Sequence, residues 1–395
     1  MTDPTPPRAA PCPHYPHCVG CPLIGRPYGE QLAVKQQRVT EALAAVPRLA
    51  DVVVPPVVGS PQAFGYRNQA KLVVRQARRG LLMGIYRPGS HQVVDIRLCP
   101  VHHPLIRPVL EAVAGAIERF AIPVYDERSQ TGLLRYVVVR ASSWTKSVQV
   151  ILVTHAQTVP NQRDIVRALL RVRGVRSVVQ NVNPEPGNVI FGRQFLPWTR
   201  DHTLVERIDF LKLTAHAGSF LQANVAVARK LYRQALAWAA PAADETCADL
   251  YCGVGALAFY LATQARHVVG IEESAVAVTD AKANIRMNGY HNVRFQCGPV
   301  AAVLPEVVGR LGRIAVVTLN PPRKGADAAT RAAIVACAPR RVVYVSCEPV
   351  TLARDLDWFA DHGYRTTAVQ PFDMMPQTEH VECVALLEPD ASGPV

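Results

Sequence analysis

The sequence predicts an α/β protein with two domains, a Rossmann-like C-terminal domain and an α+β domain before it. After about residue 205, apolar strands alternate with helix-like segments. Between about Val52 and Pro197, short β-like runs are separated by turn residues instead. A chain of 395 residues is long enough for two separate cores. We therefore expect domains at residues 1–205 and 206–395.

The C-terminal prediction depends on the order of strands and helices. The alternating segments are TCADLYCG, ALAFYLATQA, HVVGIEES, AVAVTDAKANIRMNG, RIAVVTLNPP, ATRAAIVACA and RVVYVSCEP. This alternation implies a doubly wound parallel sheet, which binds its ligands at the carboxyl ends of the strands.

The N-terminal prediction depends on strand-like runs with one helical interval, RDIVRALLRV. We interpret this stretch as an antiparallel sheet. Upstream, Leu32, Val39, Leu43 and Val46 recur at helical spacing and predict an amphipathic helix. Residues 1 to about 27 are rich in Pro and Cys and predict irregular chain.

The charge balance favours a polyanionic partner. The net charge is +12 and the pI is about 9.4, which indicates nucleic acid first and an anionic membrane second. Basic residues and tyrosines are interleaved early in the chain and predict RNA contact, with a solvated strand face as the alternative. They are Tyr66, Arg67, Lys71, Arg75, Arg78, Arg79, Tyr86 and Arg87.

The sequence also favours a cytoplasmic location. It has neither a signal peptide nor an apolar run of the roughly 20 residues that a membrane span requires. In the cytoplasm, the ten cysteines are expected to ligate metal or act in catalysis rather than form disulfides.

A glycine loop predicts a nucleoside site. Gly253 and Gly255 follow a strand, and Glu272 ends the next strand, where it can bind ribose hydroxyls. The loop offers no basic residue for a pyrophosphate, which favours S-adenosylmethionine over a nicotinamide dinucleotide. Asn320 begins an Asn-Pro-Pro-Arg run at another strand end. The run lacks the aromatic residue typical of N-methylation sites. The alternatives are a structural turn with a surface acid, and a nicotinamide oxidoreductase.

A nucleophile and a base are predicted near the C-terminus. Cys347 stands at the end of the strand RVVYV, where a thiol faces the ligand crevice. Alternation along the final strand places His380 and Glu382 on one face. Glu382 is the predicted base and Glu379 the weaker alternative.

Together these motifs resemble the class I RNA (uracil-5-)-methyltransferase family. The matching segments are YRNQAK, GLLRYVVVR, SFLQAN, DLYCGVGALAFYLA, GIEES, NPPRKG, VSCEPVTLARDL and DMMPQTEHVE. The resemblance implies that Cys347 is the nucleophile and Glu382 the base. It assigns Gln222, Tyr251, Glu272 and Asn320 to S-adenosylmethionine.

The resemblance also implies a substrate. Many members carry Asp where this chain has Asn320. Asn there resembles the subgroup that acts on 23S ribosomal RNA without an N-terminal TRAM domain, for which this chain has no room before its first cysteines. The tRNA T-loop uridine is the alternative target. Glu348 also departs from the family, where Asn or Asp often follows the nucleophile.

Four cysteines predict a metal cluster in the N-terminal domain. Cys12, Cys18 and Cys21 form C-x5-C-x2-C, and Cys99 stands alone. Their spacing suits a [4Fe–4S] cluster and an all-cysteine zinc site equally. The resemblance favours [4Fe–4S]. A non-catalytic RNA-binding protein with a metal cluster is the alternative from another functional class.

Overall fold

The structure is a computed structural model and describes residues 11–78 and 80–390. The chain forms two compact units. The first comprises the described part of Met1–Arg26 with Gln62–Arg207 and Thr214–Gly218. The second comprises Pro27–Pro61, Ile208–Leu213 and the described part of Ser219–Val395. In the described residues, no helix is long and apolar enough to cross a membrane.

Helices and strands alternate regularly between Val225 and Phe372, whereas consecutive strands are common before this region. The elements up to residue 200 are α1 (Tyr28–Ala44), a 3-10 turn (Pro47–Leu49), β1 (Gln69–Ala77), β2 (Gly80–Tyr86), β3 (Val93–Asp95), α2 (Ile106–Arg119), β4 (Leu134–Ala141), β5 (Val148–Thr154), α3 (Gln162–Leu170), β6 (Val175–Val182) and β7 (Gln194–Pro197). The later elements are β8 (Thr203–Ile208), β9 (Leu211–His216), α4 (Val225–Ala239), β10 (Thr246–Leu250), α5 (Ala256–Leu261), β11 (His267–Glu272), α6 (Ala275–Asn288), β12 (Val293–Cys297), α7 (Val300–Leu311), β13 (Val316–Leu319), α8 (Ala328–Ala336), β14 (Arg341–Ser346), α9 (Pro349–Ala360), β15 (Tyr364–Phe372) and β16 (Glu382–Pro389).

The first unit contains a seven-stranded sheet in the order β3-β2-β1-β4-β5-β6-β7. Neighbouring strands within this sheet are antiparallel, except for β5 and β6, which are parallel to each other. Apolar side chains of α2 and α3 share one core with the sheet. The helical interval predicted from the sequence is α3, whereas α2 was missed, although its Val109, Val113 and Ile117 are buried at helical spacing. Pro108 lies in the first turn of α2, where the missing N–H disrupts no helical bond.

The second unit contains a seven-stranded sheet in the order β12-β11-β10-β13-β14-β16-β15. The five strands from β12 to β14 are parallel, which confirms the predicted doubly wound arrangement. The last two strands are antiparallel to their neighbours. Since β16 begins at Glu382, His380 precedes the strand. The predicted sharing of one strand face by His380 and Glu382 is therefore wrong.

Helix α1 belongs to the second unit and packs against α9. Its buried face contains Val39 and Leu43, as the periodicity predicts, but also Gln31 and Lys35. Lys35 forms a fully buried ion pair with Asp373 and donates a 2.9 Å hydrogen bond to the carbonyl oxygen of Met375. The partners compensate for the lost hydration of the ammonium group. The pair ties α1 to the segment that leads into β16.

Candidate active site

The candidate site lies at the carboxyl ends of the parallel strands in the second unit. The loop after β10 holds three alternate residues in the left-handed region, with φ of 56° at Tyr251, 54° at Gly253 and 90° at Gly255. A Cβ atom on Gly255 would lie 2.4 Å from Cζ of Phe295, so no larger residue fits there without rearrangement. The loop therefore turns sharply from β10 into α5.

Three of the four residues predicted to bind the cofactor line one cleft at this loop. Gln222, Tyr251 and Asn320 share it with Gly253. Glu272 lies behind the loop, where its carboxylate accepts hydrogen bonds from the N–H groups of Gly253 (3.0 Å) and Ser274 (2.8 Å). A carboxylate has about four acceptor positions, so two remain for ligand hydroxyls. Amide, carboxylate and aromatic groups of this kind suit a nucleoside with an amino acid tail.

Two aromatic residues of the cleft were missed by sequence reasoning. Tyr232 on α4 is buried and lines the cleft, and its side chain hydrogen-bonds to Gln222. Phe220 also lines the cleft, although 62% of it is exposed. Tyr232 occupies an apolar position of an amphipathic helix, which looks like ordinary core in a sequence. The available signal for Phe220 was its place in SFLQAN, one of the segments that carry the family resemblance.

The predicted nucleophile and base are brought together by strand pairing. Strands β14 and β16 are antiparallel, with Val345 opposite Val384 and Ser346 opposite Cys383. Cys347 directly follows the last residue of β14, and Glu382 is the first residue of β16. The charge of Glu382 acts on the thiol of Cys347, so the two groups are close enough to interact electrostatically. Strand β14 also adjoins β13, which ends just before Asn320.

Burial changes the acidity of both groups. Desolvation raises the pKa of Glu382 to about 7, and Arg323 partly opposes this shift. Desolvation also raises the pKa of Cys347. The negative charge of Glu382 raises this pKa further, whereas the positive charge of Arg323 lowers it. A carboxylate with a pKa near neutrality is well suited to accept and release protons. The charge of Arg323 favours the ionised form of both groups.

A charged network surrounds Cys347. The carboxylate of Glu348 accepts hydrogen bonds from Arg38 of α1 (2.8 Å) and from Arg323 (3.5 Å). Arg323 also lies 3.1 Å from Nδ1 of His380, and Arg38 donates to the carbonyl oxygen of Glu379 (3.0 Å). Glu348 therefore binds two arginines close to Cys347. This gives a physical role to a residue that departs from the family pattern.

Comparison with known proteins decides the family. A family model described as tRNA (Uracil-5-)-methyltransferase matches residues 308–390, and a methyltransferase domain model matches residues 242–334. An uncharacterized RNA methyltransferase of Geobacter sulfurreducens is 44% identical over 371 residues, which cover 94% of this chain and 75% of the relative. One of Halalkalibacterium halodurans is 38% identical over 390 residues, covering 98% of this chain and 85% of the relative.

A solved structure agrees with these relatives. The tRNA (uracil-54, C5)-methyltransferase of Pyrococcus abyssi, in complex with S-adenosyl-L-homocysteine, superposes with a TM-score of 0.76 at 29% identity, covering 94% of this chain and 86% of that one. The chain belongs to the RNA (uracil-5-)-methyltransferase family. S-adenosylmethionine is therefore its methyl donor and RNA its substrate class, and the nicotinamide oxidoreductase alternative is wrong.

The basic segment of this methyltransferase is partly occupied by internal partners. Arg75 forms an ion pair with Glu127 and donates to the hydroxyl group of Tyr86 (2.8 Å). Arg67 donates to the carbonyl oxygen of Gln69 (3.2 Å). Arg78 is exposed at the end of β1, and Arg79 lies outside the described residues. RNA contact by this segment stays a prediction.

The four predicted metal ligands of the methyltransferase lie in the first unit as free, partly exposed cysteines. Burial raises the pKa of Cys21 to about 12, and negative charge on Cys99, Cys18 and Cys12 raises it further. Burial also raises the pKa of Cys99, and negative charge on Cys12 and Cys18 raises it further. The four thiols are therefore close enough to interact electrostatically. Among the described residues, however, no group of three or more His, Cys, Asp or Glu side chains is arranged to hold a metal ion.

The shifted pKa of Glu382 predicts a pH-dependent stability. The usual value of 4.5 is raised to about 7, so ionisation of the native protein costs free energy. The neutral Glu382 carboxyl group contributes fully to the free energy of unfolding below its unfolded-state pKa. This contribution is lost as pH rises through about 7. We expect Glu382→Gln to match the wild type in acid and to exceed its free energy of unfolding by up to about 3 kcal/mol above pH ~7. Denaturant titrations across this range provide the measurement. A variant no more stable than the wild type in alkali would contradict the shift.

Proposed function

We propose that this chain methylates carbon 5 of a uridine in 23S ribosomal RNA, with Cys347 as nucleophile and Glu382 as base. The single observation that supports the pair most strongly is that Ser346 and Cys383, the residues next to Cys347 and Glu382 in the chain, pair with each other at the ends of β14 and β16. The nearly neutral pKa of Glu382 supports its role as base.

The proposed chemistry begins at the thiol of Cys347. Its thiolate adds to carbon 6 of the uracil ring, and the electron pair displaced by that bond makes carbon 5 nucleophilic. Carbon 5 takes up the methyl group of S-adenosylmethionine as the methyl–sulfonium bond breaks, and S-adenosylhomocysteine is the leaving group. Glu382 then removes the proton from carbon 5, and the electron pair of that C–H bond restores the ring double bond as the C–S bond breaks. Cys347 leaves as a thiolate.

The methyl donor is proposed to bind in the cleft lined by Gln222, Tyr251 and Asn320, with Glu272 accepting from its ribose. The cleft lies at the ends of β10 and β13, and β13 adjoins β14. A donor bound there is therefore next to the strand that carries Cys347. The uridine must leave its base stack to enter such a site, so we propose a loop nucleotide or a flipped base as the target.

The choice of 23S ribosomal RNA depends on Asn320, which resembles the ribosomal subgroup. The T-loop uridine of tRNA is the second candidate, because the P. abyssi structure is a tRNA enzyme. Incubation with labelled S-adenosylmethionine and separate unmodified 23S and tRNA transcripts tests this choice. We expect label in 5-methyluridine of the 23S transcript. Label in tRNA alone would overturn the target but keep the chemistry.

A transcript containing 5-fluorouridine tests the chemistry itself. Fluorine cannot be removed as a proton, so the C6–S bond should persist as a covalent protein–RNA adduct at Cys347. Mass spectrometry of the digested adduct identifies the attached residue. Methylation without an adduct at this thiol would overturn the proposed nucleophile.

We further propose that Cys12, Cys18, Cys21 and Cys99 hold a [4Fe–4S] cluster with a structural role. The electrostatic coupling of their thiols and their lack of disulfide bonds support a shared ligand. A bound cation would favour the thiolates that desolvation otherwise disfavours.

The cluster proposal predicts metal content. Anaerobically purified protein should contain iron and acid-labile sulfide, and Cys21→Ser should lose both because one ligand is missing. Cys297→Ser, at an exposed cysteine of the second unit, serves as the control and should retain them. Zinc without sulfide in the wild type would support the all-cysteine zinc site instead.

A further inference from the structure

A second arginine-rich region lies outside the segment between Tyr66 and Arg97. Residues 161–201 contain seven arginines and three acidic residues, a surplus of four charges in a chain whose net charge is +12. The arginines are Arg163, Arg167, Arg171, Arg173, Arg176, Arg193 and Arg200. All seven are exposed. About a third of the charge surplus is therefore concentrated in a tenth of the chain.

Helix α3 separates its charged and apolar residues onto two faces. Arg163, Arg167 and Arg171 follow one another at intervals of four residues, which aligns them along one side of the helix. Ile165 and Leu169 point the other way and are buried in the core beneath the sheet. The fold of the first unit thus needs only the apolar face of α3, and packing does not explain the arginines.

A groove of about 720 Å³ runs beside this helix. Its wall on the α3 side includes Leu170, which is 44% exposed. Its other wall is formed by Arg176 and by Trp198 and Arg200, which follow strand β7. Two arginines, the acidic residue Asp201 and one partly exposed tryptophan therefore line one open groove, which we call the α3 groove.

The acidic residues nearby offset part of this charge, and one of them, Asp201, lines the α3 groove itself. Asp164 forms an ion pair with Arg167 at 3.0 Å. Within residues 11–78 and 80–390, Arg163, Arg171 and Arg176 make no ion pair. In the earlier basic segment, by contrast, Arg75 and Arg97 are paired with acidic side chains. The α3 groove is therefore a second cationic surface that can bind an external polyanion.

We infer that the α3 groove and the adjoining arginine row bind the phosphodiester backbone of the RNA that flanks the target uridine. The inference rests on the proposed function, which supplies RNA as the partner. Guanidinium groups bind phosphates in a bidentate manner, and an indole beside them offers a stacking face for an unpaired base. An anionic membrane would require an apolar face to insert, whereas α3 directs its apolar residues into the core.

The test variant carries Arg171→Gln, Arg176→Gln and Arg200→Gln, which remove three charges at exposed positions. Its control carries Arg286→Gln, Arg294→Gln and Arg310→Gln, three exposed arginines of the second unit. Filter binding of an unmodified 23S rRNA transcript is measured over a range of salt concentrations. We expect the dissociation constant of the test variant to rise roughly tenfold or more at physiological salt. The slope of log K against log salt should fall by about 2, since each single-strand phosphate contact contributes ~0.7.

The control should bind like the wild type, and both variants should bind S-adenosylmethionine normally. Equal RNA affinity and equal salt slopes in the test variant and the control would overturn the inference. Loss of pelleting with phosphatidylglycerol vesicles at unchanged RNA affinity would also overturn it, in favour of a lipid surface. If the wild type binds RNA through the groove but forms no 5-methyluridine, the proposed function fails while the α3 groove inference stands.

Discussion

Replacement of Cys347 by alanine is expected to abolish methyl transfer to RNA. Without the thiolate, carbon 5 of uracil is too weak a nucleophile to attack the methyl group, because no electron pair is displaced toward it. We expect a loss on the order of 10⁴-fold or more in kcat/KM, the scale on which catalytic nucleophiles act. Single-turnover assays with labelled S-adenosylmethionine and the RNA substrate provide the measurement.

The matched control is Cys297→Ala, which removes an exposed thiol elsewhere in the same unit. This variant should retain activity. Cys347→Ala should still bind S-adenosylmethionine, because the cleft lies at Gln222, Tyr251 and Asn320. If Cys347→Ala kept wild-type turnover, the covalent mechanism would be wrong.

Replacement of Glu382 by glutamine is expected to separate methyl transfer from product release. Glutamine keeps the shape of the side chain but cannot accept the proton on carbon 5. The C–S bond then cannot break, so methylated RNA should accumulate as an adduct with Cys347. We expect multiple turnover to fall by about 10²- to 10⁴-fold, the usual contribution of a general base. Denaturing gels should show the retarded protein–RNA band, and the label of the methyl group should migrate with it.

Glu379→Gln serves as the matched control, because Glu379 is the alternative base and is exposed three residues earlier. Only its backbone carbonyl oxygen contacts Arg38, and that contact survives the substitution. An adduct that accumulates in Glu379→Gln but not in Glu382→Gln would transfer the role of base to Glu379.

Much of the second unit was predictable because its signals are local. Apolar runs that end at Asp249-Leu250, Leu319 and Ser346 specified parallel strands, and the glycine loop marked the first strand end. The placement of α1 was not predictable. Its Lys35 pairs with Asp373, 338 positions later, and no periodicity within the helix indicates which partner will neutralise a buried charge.

The residues of the candidate site were likewise predictable only in part. Position at the carboxyl end of a strand singled out Cys347 and Asn320, whereas Glu382 was selected as a carboxylate on an otherwise apolar strand, and the family resemblance supported all three. Tyr232 and Arg38 escaped notice because each lies on a helix whose pattern is explained by packing or solvation. Their relation to the site arises only when separate elements meet, as when Arg38 of α1 reaches Glu348.

The sequence by itself determined the candidate groups: a thiol and a glycine loop that each follow a strand, and a carboxylate on the last strand. The tertiary structure decided their proximity and their acidity. The pairing of β14 with β16 brings Cys347 near Glu382, which lies 35 positions later in the chain, and burial raises the pKa of that carboxyl to about 7. The physical reason is that desolvation and Coulomb interactions depend on all surrounding elements, whereas residue order specifies only neighbours along the chain.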